Sequence, residues 1–177
     1  MQYTSQYQSP LGDMLIAAND IGVTGLWFVG QKYFAYSLDK ESEEKETAIL
    51  QDTKKWLDMY FSGKEPSFKI PLQFTGTDFQ NEVWKILCDI PYGQTMTYGE
   101  IATILAKKKS LNKMSAQAVG GAVGKNGITI IIPCHRVVGS NGSLTGYAGG
   151  ISKKIELLKL EKGYKDTFFI PQKSTAI

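Results

Sequence analysis

Three helix-start signals in the second half of the chain limit what it can fold into. A threonine followed three residues later by a side chain that reaches back to it forms a capping box, and this pattern occurs at Thr77–Gln80 and at Thr97–Glu100. Ser115 takes the same place before a run of small residues, 116–123. The second half is therefore predicted to be mostly helical, with each helix beginning directly after one of these residues.

The first half has a different pattern. Met14–Ala17 and Val23–Val29 are apolar runs of strand length, and Ser9–Gly12 holds the proline and glycine of a turn. From Thr47 onward, apolar residues recur at helical spacing, which predicts one helix that ends at Gly63. The first half is therefore predicted to be a small sheet with one helix.

Prolines and glycines in the segment 62–76 predict a linker between these two parts. We expect an α/β N-terminal domain with its linker over residues 1–73 and a mostly α C-terminal domain over 74–177. Within the second domain, two short helices separated by a loop predict a helix-turn-helix, winged-helix-like unit. A last amphipathic helix is predicted over 152–162, ending at Gly163.

Three scarce side chains are consecutive in this sequence. Cys134 is one of two cysteines, His135 is the single histidine, and Arg136 is the single arginine among 20 basic residues. A cysteine becomes a good nucleophile as a thiolate, which a neighbouring histidine promotes. The apolar run 128–132 is predicted to be a strand that ends at Pro133, because proline cannot donate to a central ladder. Cys134 is therefore predicted to lie in the turn that follows.

Composition excludes several classes of protein. No run of about 18 apolar residues occurs, which excludes a membrane-spanning helix. The first residues lack the basic-then-apolar layout of a secretory signal, which predicts a cytosolic protein. Two cysteines and one histidine are too few for a disulfide scaffold or a typical structural zinc site, so no metal is expected.

Charge is uneven along the chain, although the net charge of +3 alone does not indicate a nucleic-acid-binding protein. Residues 98–117 hold four lysines and one acidic residue, whereas residues 36–55 hold six acidic residues and four lysines. A surface that binds phosphates is therefore expected on the C-terminal side.

The motifs of the second half resemble, in order, the signature of the O6-alkylguanine-DNA alkyltransferases, also called methylated-DNA–protein-cysteine methyltransferases. The motifs that carry the resemblance are Phe79–Trp84, Pro91–Thr95, Thr97–Ala102, Ala118–Ala122, Pro133–Gly139 and Gly146–Gly150. The resemblance is nearly continuous from residue 74 to 163. Over residues 1–73 it is weak and limited to patterns such as Ser9–Gly12.

The resemblance implies stoichiometric DNA repair without a cofactor. In the family, the cysteine at the position of Cys134 attacks the alkyl carbon on guanine O6 and keeps the alkyl group permanently. The partner histidine, at the position of His135, acts through a water and is oriented by a glutamate at the position of Glu161. An asparagine in the hinge, at the position of Asn126, belongs to the same network.

The resemblance also implies how DNA is bound. An alkyl group on guanine O6 lies inside the base stack, so the nucleotide must be flipped into a pocket. The residues that match the substrate pocket are Tyr98, Val123, Tyr147, Ala148 and Gly149. The residues assigned to DNA contacts are Thr97, Tyr98, Ser115, Ala116, Gln117, Gly120 and Arg136. The helix 115–124 would lie in the minor groove of double-stranded DNA that carries O6-alkylguanine; a monomer without a membrane partner is expected.

Two features depart from the family pattern. Many members carry an intercalating arginine where this chain has Gln117, and no neighbouring arginine replaces it, since Arg136 belongs to the active-site motif. The loop 107–114 is long and basic.

Three other functions compete with this interpretation. A non-enzymatic alkyltransferase-like protein that flags alkylated DNA would lack the reactive cysteine, which is present here as Cys134. In a helix-turn-helix transcription factor, the Pro-Cys-His-Arg turn would have no function. A papain-like thiol hydrolase would have its histidine far from its cysteine in sequence and would turn over.

Overall fold

A computed structural model describes residues 1–172, which divide into two units. The first unit consists of Met1–Thr75 together with Gly127–Thr129, and the second consists of Gly76–Asn126 and the chain from Ile130 onward. The sequence predicted a single boundary between the two halves. It did not predict that a short segment of the second half belongs to the first unit.

The first unit is built on a four-stranded sheet in the order β3-β2-β1-β4. Its strands are β1 (Tyr3–Ser9), β2 (Gly12–Ala18), β3 (Val23–Phe28) and β4 (Glu43–Glu44). β2 pairs antiparallel with both β1 and β3, whereas β4 pairs parallel with β1. The turn predicted at Ser9–Gly12 is confirmed, because the Ser9 hydroxyl donates to the Gly12 carbonyl at 2.6 Å and accepts from the Leu11 N–H at 3.1 Å.

Helix α1 (Ala48–Phe61) packs against β1, β2 and β3. It begins at Thr47, whose hydroxyl accepts from the Leu50 N–H at 3.3 Å, and the chain leaves the helix through Gly63 with a φ of +88°. Leu50 and Leu57 on its inner face are fully buried. Burying each of these leucines stabilises the first unit by about 1.5–3 kcal/mol.

The second unit is mostly helical, and all three predicted helix starts are confirmed. Its elements are α2 (Asp78–Cys88), β5 (Met96–Thr97), α3 (Tyr98–Lys108), α4 (Ala116–Gly124), β6 (Val137–Val138) and α5 (Ile151–Leu160). Thr77 and Gln80 form a reciprocal capping box with distances of 3.1 and 3.0 Å. The hydroxyls of Thr97 and Ser115 each accept the N–H three residues later, at 3.0 and 3.2 Å.

Helices α3 and α4 pack against each other and against α2, with residues 109–115 joining them. The small side chains of α4 permit this close packing, and the Trp84 indole N–H reaches the Ala122 carbonyl at 2.9 Å. The predicted fold class, a small sheet domain with one helix followed by a mostly helical domain, is confirmed.

The strand predicted over 128–132 is wrong. Only Ile128 makes a ladder contact, a single bridge to Leu26, and the chain then turns, with Ile130 in the left-handed region at a φ of +69°. The run is apolar because Ile128, Ile130 and Ile132 are all buried. A short buried segment has the same apolar sequence whether or not it pairs with another strand. A β-branched residue at positive φ is strained, so the surrounding packing holds this turn in place.

Helix α5 also differs from the prediction, since it spans 151–160 rather than 152–162. Lys162, one residue before Gly163, takes the left-handed conformation with a φ of +59°. Gly163 itself lies close to the chain at Gly93, because a Cβ at 163 would lie 3.0 Å from the Gly93 carbonyl oxygen. None of the helices within residues 1–172 is long and apolar enough to cross a membrane.

Candidate active site

Cys134 is the first residue of a single 3₁₀ turn, Cys134–Arg136, which leads directly into β6. The turn begins at Pro133, as predicted, and the Cys134 N–H donates back to the Ile132 carbonyl at 2.8 Å. Cys134 is only 5% exposed. The turn places a thiol at the start of a short buried helix, where it is sheltered from water.

Asn126 lies at the other end of the turning segment. It is buried, and its side-chain N–H donates to the Ile132 carbonyl at 2.9 Å. This bond closes the loop that precedes Pro133. Asn126 therefore helps to fix the backbone that carries Cys134.

His135 and Glu161 form a buried pair beside this turn. The His135 Nε2 atom lies 2.6 Å from the Glu161 Oε2 atom, and neither side chain is exposed. Glu161 is the residue directly after α5, so the helix end delivers the carboxylate to the imidazole. The structure thus brings together two of the side chains that the resemblance assigned to one network.

Glu161 also binds Arg136 through two hydrogen bonds. The Arg136 Nε donates to Oε1 at 2.7 Å, and Nη2 donates to Oε2 at 3.1 Å. Burial alone would raise the pKa of Glu161, but the hydrogen bonds and charges of His135 and Arg136 outweigh it and hold that pKa well below its usual range. Glu161 is therefore a carboxylate at neutral pH.

An ionised carboxylate only accepts hydrogen bonds, so Nε2 of His135 must carry the proton that bonds to Glu161. Burial lowers the pKa of His135, and the charges of Arg136 and Lys154 act in the same direction against the effect of Glu161. The imidazole is therefore neutral, with its basic lone pair on Nδ1. This is the protonation state that a general base requires.

Lys154 of α5 is a fully buried lysine that was not among the residues predicted from the sequence. Its ammonium donates to the carbonyls of Val137 and Thr145 at 2.5 and 3.0 Å. Burial lowers the pKa of Lys154 to about 8, opposed by the negative charge of a Cys134 thiolate. The same attraction works in both directions, so the ammonium stabilises the thiolate.

Lys154 could have been found in the sequence from its spacing. Lys154, Leu157, Leu158 and Glu161 recur at intervals of three and four, and all four are buried. A charged residue on the apolar face of a predicted helix is costly unless it is paired, and such a residue is therefore a candidate for a site.

Of the predicted substrate-pocket residues, Tyr98 contacts the loop that leads into α5, and Tyr147, Ala148 and Gly149 lie in that loop. The Tyr98 hydroxyl donates to the Thr145 carbonyl at 3.0 Å, and burial raises the pKa of Tyr98 to about 12, so the hydroxyl stays protonated. Val123 and Tyr147 are buried. Ala148 and Gly149 are half-buried, in the turn that precedes α5.

Three of the seven predicted DNA-contacting residues lie at the exposed N-terminal end of α4. Ser115, Ala116 and Gln117 are exposed, while Thr97 is half-buried and caps α3. Gly120 is buried, and a Cβ there would lie 3.8 Å from the Tyr98 ring. Gly120 therefore lies beside Tyr98 rather than on the exposed face of α4, and its contact with DNA stays a prediction.

Arg136, also predicted to contact DNA, has its side chain bound inside the second unit. Arg136 is buried, its guanidinium is held by Glu161 and by the Ile90 carbonyl at 2.7 Å, and it lies 5.7 Å from the centre of the Tyr92 ring. These contacts occupy the side chain within the second unit. Arg136 therefore joins His135 as a partner of Glu161, and its contact with DNA stays a prediction.

Lysine and arginine are the charged residue types of the segment 101–155. Residues 101–155 contain seven lysines and Arg136 but no aspartate or glutamate. Lys107, Lys108, Lys109 and Lys113 are exposed, next to the exposed end of α4. A positive surface of this kind suits a polyanion.

Comparison with known proteins identifies the family. A family model described as "6-O-methylguanine DNA methyltransferase, DNA binding domain" matches residues 78–163, and one described as "6-O-methylguanine DNA methyltransferase, ribonuclease-like domain" matches residues 2–74. The chain belongs to the 6-O-methylguanine DNA methyltransferase family. The candidate active-site residues Cys134, His135, Lys154 and Glu161 all fall within the part matched by the family's DNA-binding domain.

Individual members of the methyltransferase family match over nearly their whole length. A methylated-DNA–protein-cysteine methyltransferase of Methanosarcina barkeri is 45% identical over 161 residues, covering 90% of this chain and 97% of that protein. One of Mycobacterium leprae is 39% identical over 162 residues, covering 92% and 93%. The crystal structure of Mycobacterium tuberculosis OGT in complex with DNA is 39% identical with a TM-score of 0.77, covering 90% of this chain and 92% of that one.

Proposed function

We propose that this protein repairs DNA by transferring the alkyl group of O6-alkylguanine to Cys134, once per protein molecule. The observation that carries the proposal is the surroundings of this cysteine: a sheltered thiol adjoins a neutral histidine oriented by an ionised glutamate, and a buried ammonium stabilises the thiolate. The name of the matched relatives, methylated-DNA–protein-cysteine methyltransferase, specifies methyl transfer to a protein cysteine, and Cys134 is the cysteine with this environment.

The transfer step is a displacement at carbon. The Cys134 proton passes to Nδ1 of His135, directly or through one water, and the thiolate sulfur attacks the alkyl carbon. A sulfur–carbon bond forms as the carbon–O6 bond breaks, and guanine leaves with the electron pair. The guanine anion takes up one proton, which balances the proton that His135 accepted. The product is a thioether, and nothing in the reaction regenerates the thiol.

Access to the base requires that the nucleotide leave the duplex. We propose that the alkylated guanine enters the pocket formed by Tyr98, Val123 and the loop with Tyr147, Ala148 and Gly149. The exposed face of α4 offers only small side chains near Gln117, which suits the narrow minor groove. The neighbouring lysines would bind the backbone phosphates. The protein would act as a monomer in the cytosol.

A repair assay on a duplex that holds one O6-methylguanine tests this proposal. Repair should stop at one lesion per protein molecule, however much DNA is present. Cys134→Ser should abolish repair, while Cys88→Ser should leave it unchanged. Cys88 is the matched control, because burial of its sulfur and the charge of Asp89 raise its pKa to about 11, although the residue as a whole is exposed. Turnover beyond one lesion, or binding without repair, would contradict the proposal.

The roles of the histidine and the glutamate are tested by separating transfer from binding. His135→Ala and Glu161→Gln should each slow transfer by about 100-fold or more, as expected for loss of a general base or its orienting group. Affinity for the same duplex should stay within about twofold, since both side chains are buried away from the exposed face of α4. An equal loss of binding would assign the pair a structural role only.

A further inference from the structure

The single arginine of the chain makes a buried contact. A chain with 19 lysines and one arginine places that arginine against the carboxylate that orients the active-site histidine. Arginine and lysine differ at such a place, because the guanidinium presents a rigid fork that matches a carboxylate through two parallel bonds. The two bonds from Nε and Nη2 to Glu161 have this form.

The remaining contacts of Arg136 tie the pair to the rest of the second unit. Nη1 donates to the carbonyl of Ile90, which lies just after α2, and the guanidinium rests over the ring of Tyr92. Glu161 receives a further, longer bond from the Gly93 N–H at 3.4 Å. The carboxylate therefore has donors for both oxygens and cannot rotate without breaking several bonds at once.

Charge balance gives Arg136 a second effect. Glu161, Arg136 and a neutral His135 sum to zero net charge in a buried place. Without the guanidinium, Glu161 would be a buried anion with one neutral neighbour, and uptake of a proton by His135 would be the simplest compensation. An imidazolium holds protons on both nitrogens and cannot accept one from a thiol.

We propose that Arg136 is a positioning residue for alkyl transfer: by holding Glu161 as an oriented carboxylate and cancelling its charge, it keeps His135 neutral with its proton on Nε2. This proposal rests on the proposed function. The charged groups that act on His135 are Glu161 and Lys154 from the α5 side and Arg136 from its own turn. Glu161 alone favours the imidazolium; Arg136 and Lys154 oppose it.

The single histidine makes this testable by NMR, because all imidazole signals of the protein belong to His135. The pH titration and the ¹⁵N tautomer pattern would be recorded for the full chain and for Arg136→Gln, Arg136→Lys and Lys54→Gln. Lys54 is the matched control, since it also pairs with a glutamate, Glu46 at 2.7 Å, but on the exposed surface of the first unit.

The expected result separates charge from geometry. In Arg136→Gln, the midpoint of the His135 titration should rise by about 1–3 pH units, which is the range expected for loss of a nearby charge. In Arg136→Lys, the charge remains and the titration should stay near that of the wild type. Lys54→Gln should change nothing. An unchanged titration in a folded Arg136→Gln variant, with the proton still on Nε2, would overturn the proposal.

Kinetics supply an independent readout. The alkyl-transfer rate of Arg136→Gln should fall about tenfold at pH 7 and recover toward the wild-type rate at pH 9, where His135 is neutral again. A purely structural role would lower the rate equally at both pH values, and this result would also overturn the proposal.

Two safeguards keep the outcomes distinct. If Arg136→Gln does not fold, Glu161→Gln is measured instead. Removal of the carboxylate should lower the pH at which His135 titrates and should remove the preference for the proton on Nε2. If neither change is seen, the result counts against the proposal. If the wild type transfers no alkyl group, the proposed function fails, whereas the NMR titrations still report on Arg136.

Discussion

Lys154 and Tyr98 donate to one acceptor, the carbonyl oxygen of Thr145, each at 3.0 Å. Lys154 also holds the Val137 carbonyl, just after the 3₁₀ turn that carries Cys134. The lysine therefore connects the nucleophile's turn to the loop proposed to line the base pocket, and it brings a positive charge to the thiolate.

Loss of the Lys154 charge should slow alkyl transfer. Lys154→Met should lower the rate with free O6-benzylguanine by about tenfold at pH 7, because the thiolate loses a buried opposite charge. The pKa of about 8 means that the wild-type ammonium itself loses its charge as the pH rises, so the difference between variant and wild type should shrink above pH 8. Single-turnover rates measured from pH 6 to 9 check this. Lys159→Met, an exposed position on the same helix, is the control.

Glu161 should make stability depend on acid pH. Its pKa is lowered in the folded protein, so its ionised form contributes stability above the unfolded-state pKa of about 4.5, and this contribution is lost as the pH falls below that value. Glu161→Gln leaves Arg136 without its buried partner and should cost about 3–5 kcal/mol of unfolding free energy at pH 7. This loss of unfolding free energy, relative to the wild type, should be smaller at pH 3.5.

Urea unfolding of Glu161→Gln at pH 7, 5 and 3.5 measures this effect. Glu46→Gln is the control, because its ion pair with Lys54 is exposed and such pairs contribute about 1 kcal/mol or less. A deficit of the same size at every pH would mean that shape rather than charge stabilises the site.

Gln117 should limit the rate on duplex DNA. Flipping a base leaves a gap that a side chain must fill, and arginine fills it better than glutamine because its planar, charged group stacks on bases and attracts phosphates. Gln117 is exposed on α4, so an arginine fits there without repacking. Gln117→Arg should raise the repair rate on duplex DNA and leave the reaction with free O6-benzylguanine unchanged. Equal duplex rates for the two proteins would show that Gln117 only faces solvent.

The exposed lysines at the end of α3 and in the loop before α4 should set the salt dependence of DNA binding. Replacing Lys107, Lys108 and Lys113 with glutamine should reduce the slope of log affinity against log salt by roughly 0.9 for each phosphate that the protein no longer neutralises. Lys109 is left out of the set because it already pairs with Glu82 at 3.0 Å. Fluorescence anisotropy over a salt series measures the slope. Lys54→Gln in the first unit should leave this slope unchanged. An unchanged slope in the triple variant would mean that the phosphates bind elsewhere on the protein.

The sequence predicted those parts of the fold that local chemistry determines. The hydroxyls at Thr77, Thr97 and Ser115 cap helices in the structure as expected, because a cap needs only residues three positions apart. The turn at Ser9–Gly12 follows from the same kind of short-range bond.

What the sequence did not predict depends on contacts between distant residues. The run 128–132 is as apolar as a strand, yet the chain turns at Ile130. Ile130 is buried by the surrounding interior and not by pairing with a neighbouring strand. Arg136 was included among the residues predicted to contact DNA, whereas its side chain binds Glu161, which lies 25 residues away along the chain. Lys154 is buried through bonds to two backbone carbonyls, which a sequence does not display.

The central claim is that Cys134 takes the alkyl group itself, and one measurement tests it most directly. The protein is incubated with a duplex whose O6-methylguanine carries a trideuterated methyl group, then digested and mapped by mass spectrometry. The account predicts one intact trideuteromethyl group per molecule, found only on the peptide with Cys134, with Cys88 unlabelled. Label on Cys88, label on any other residue, or repaired DNA without labelled protein would contradict it.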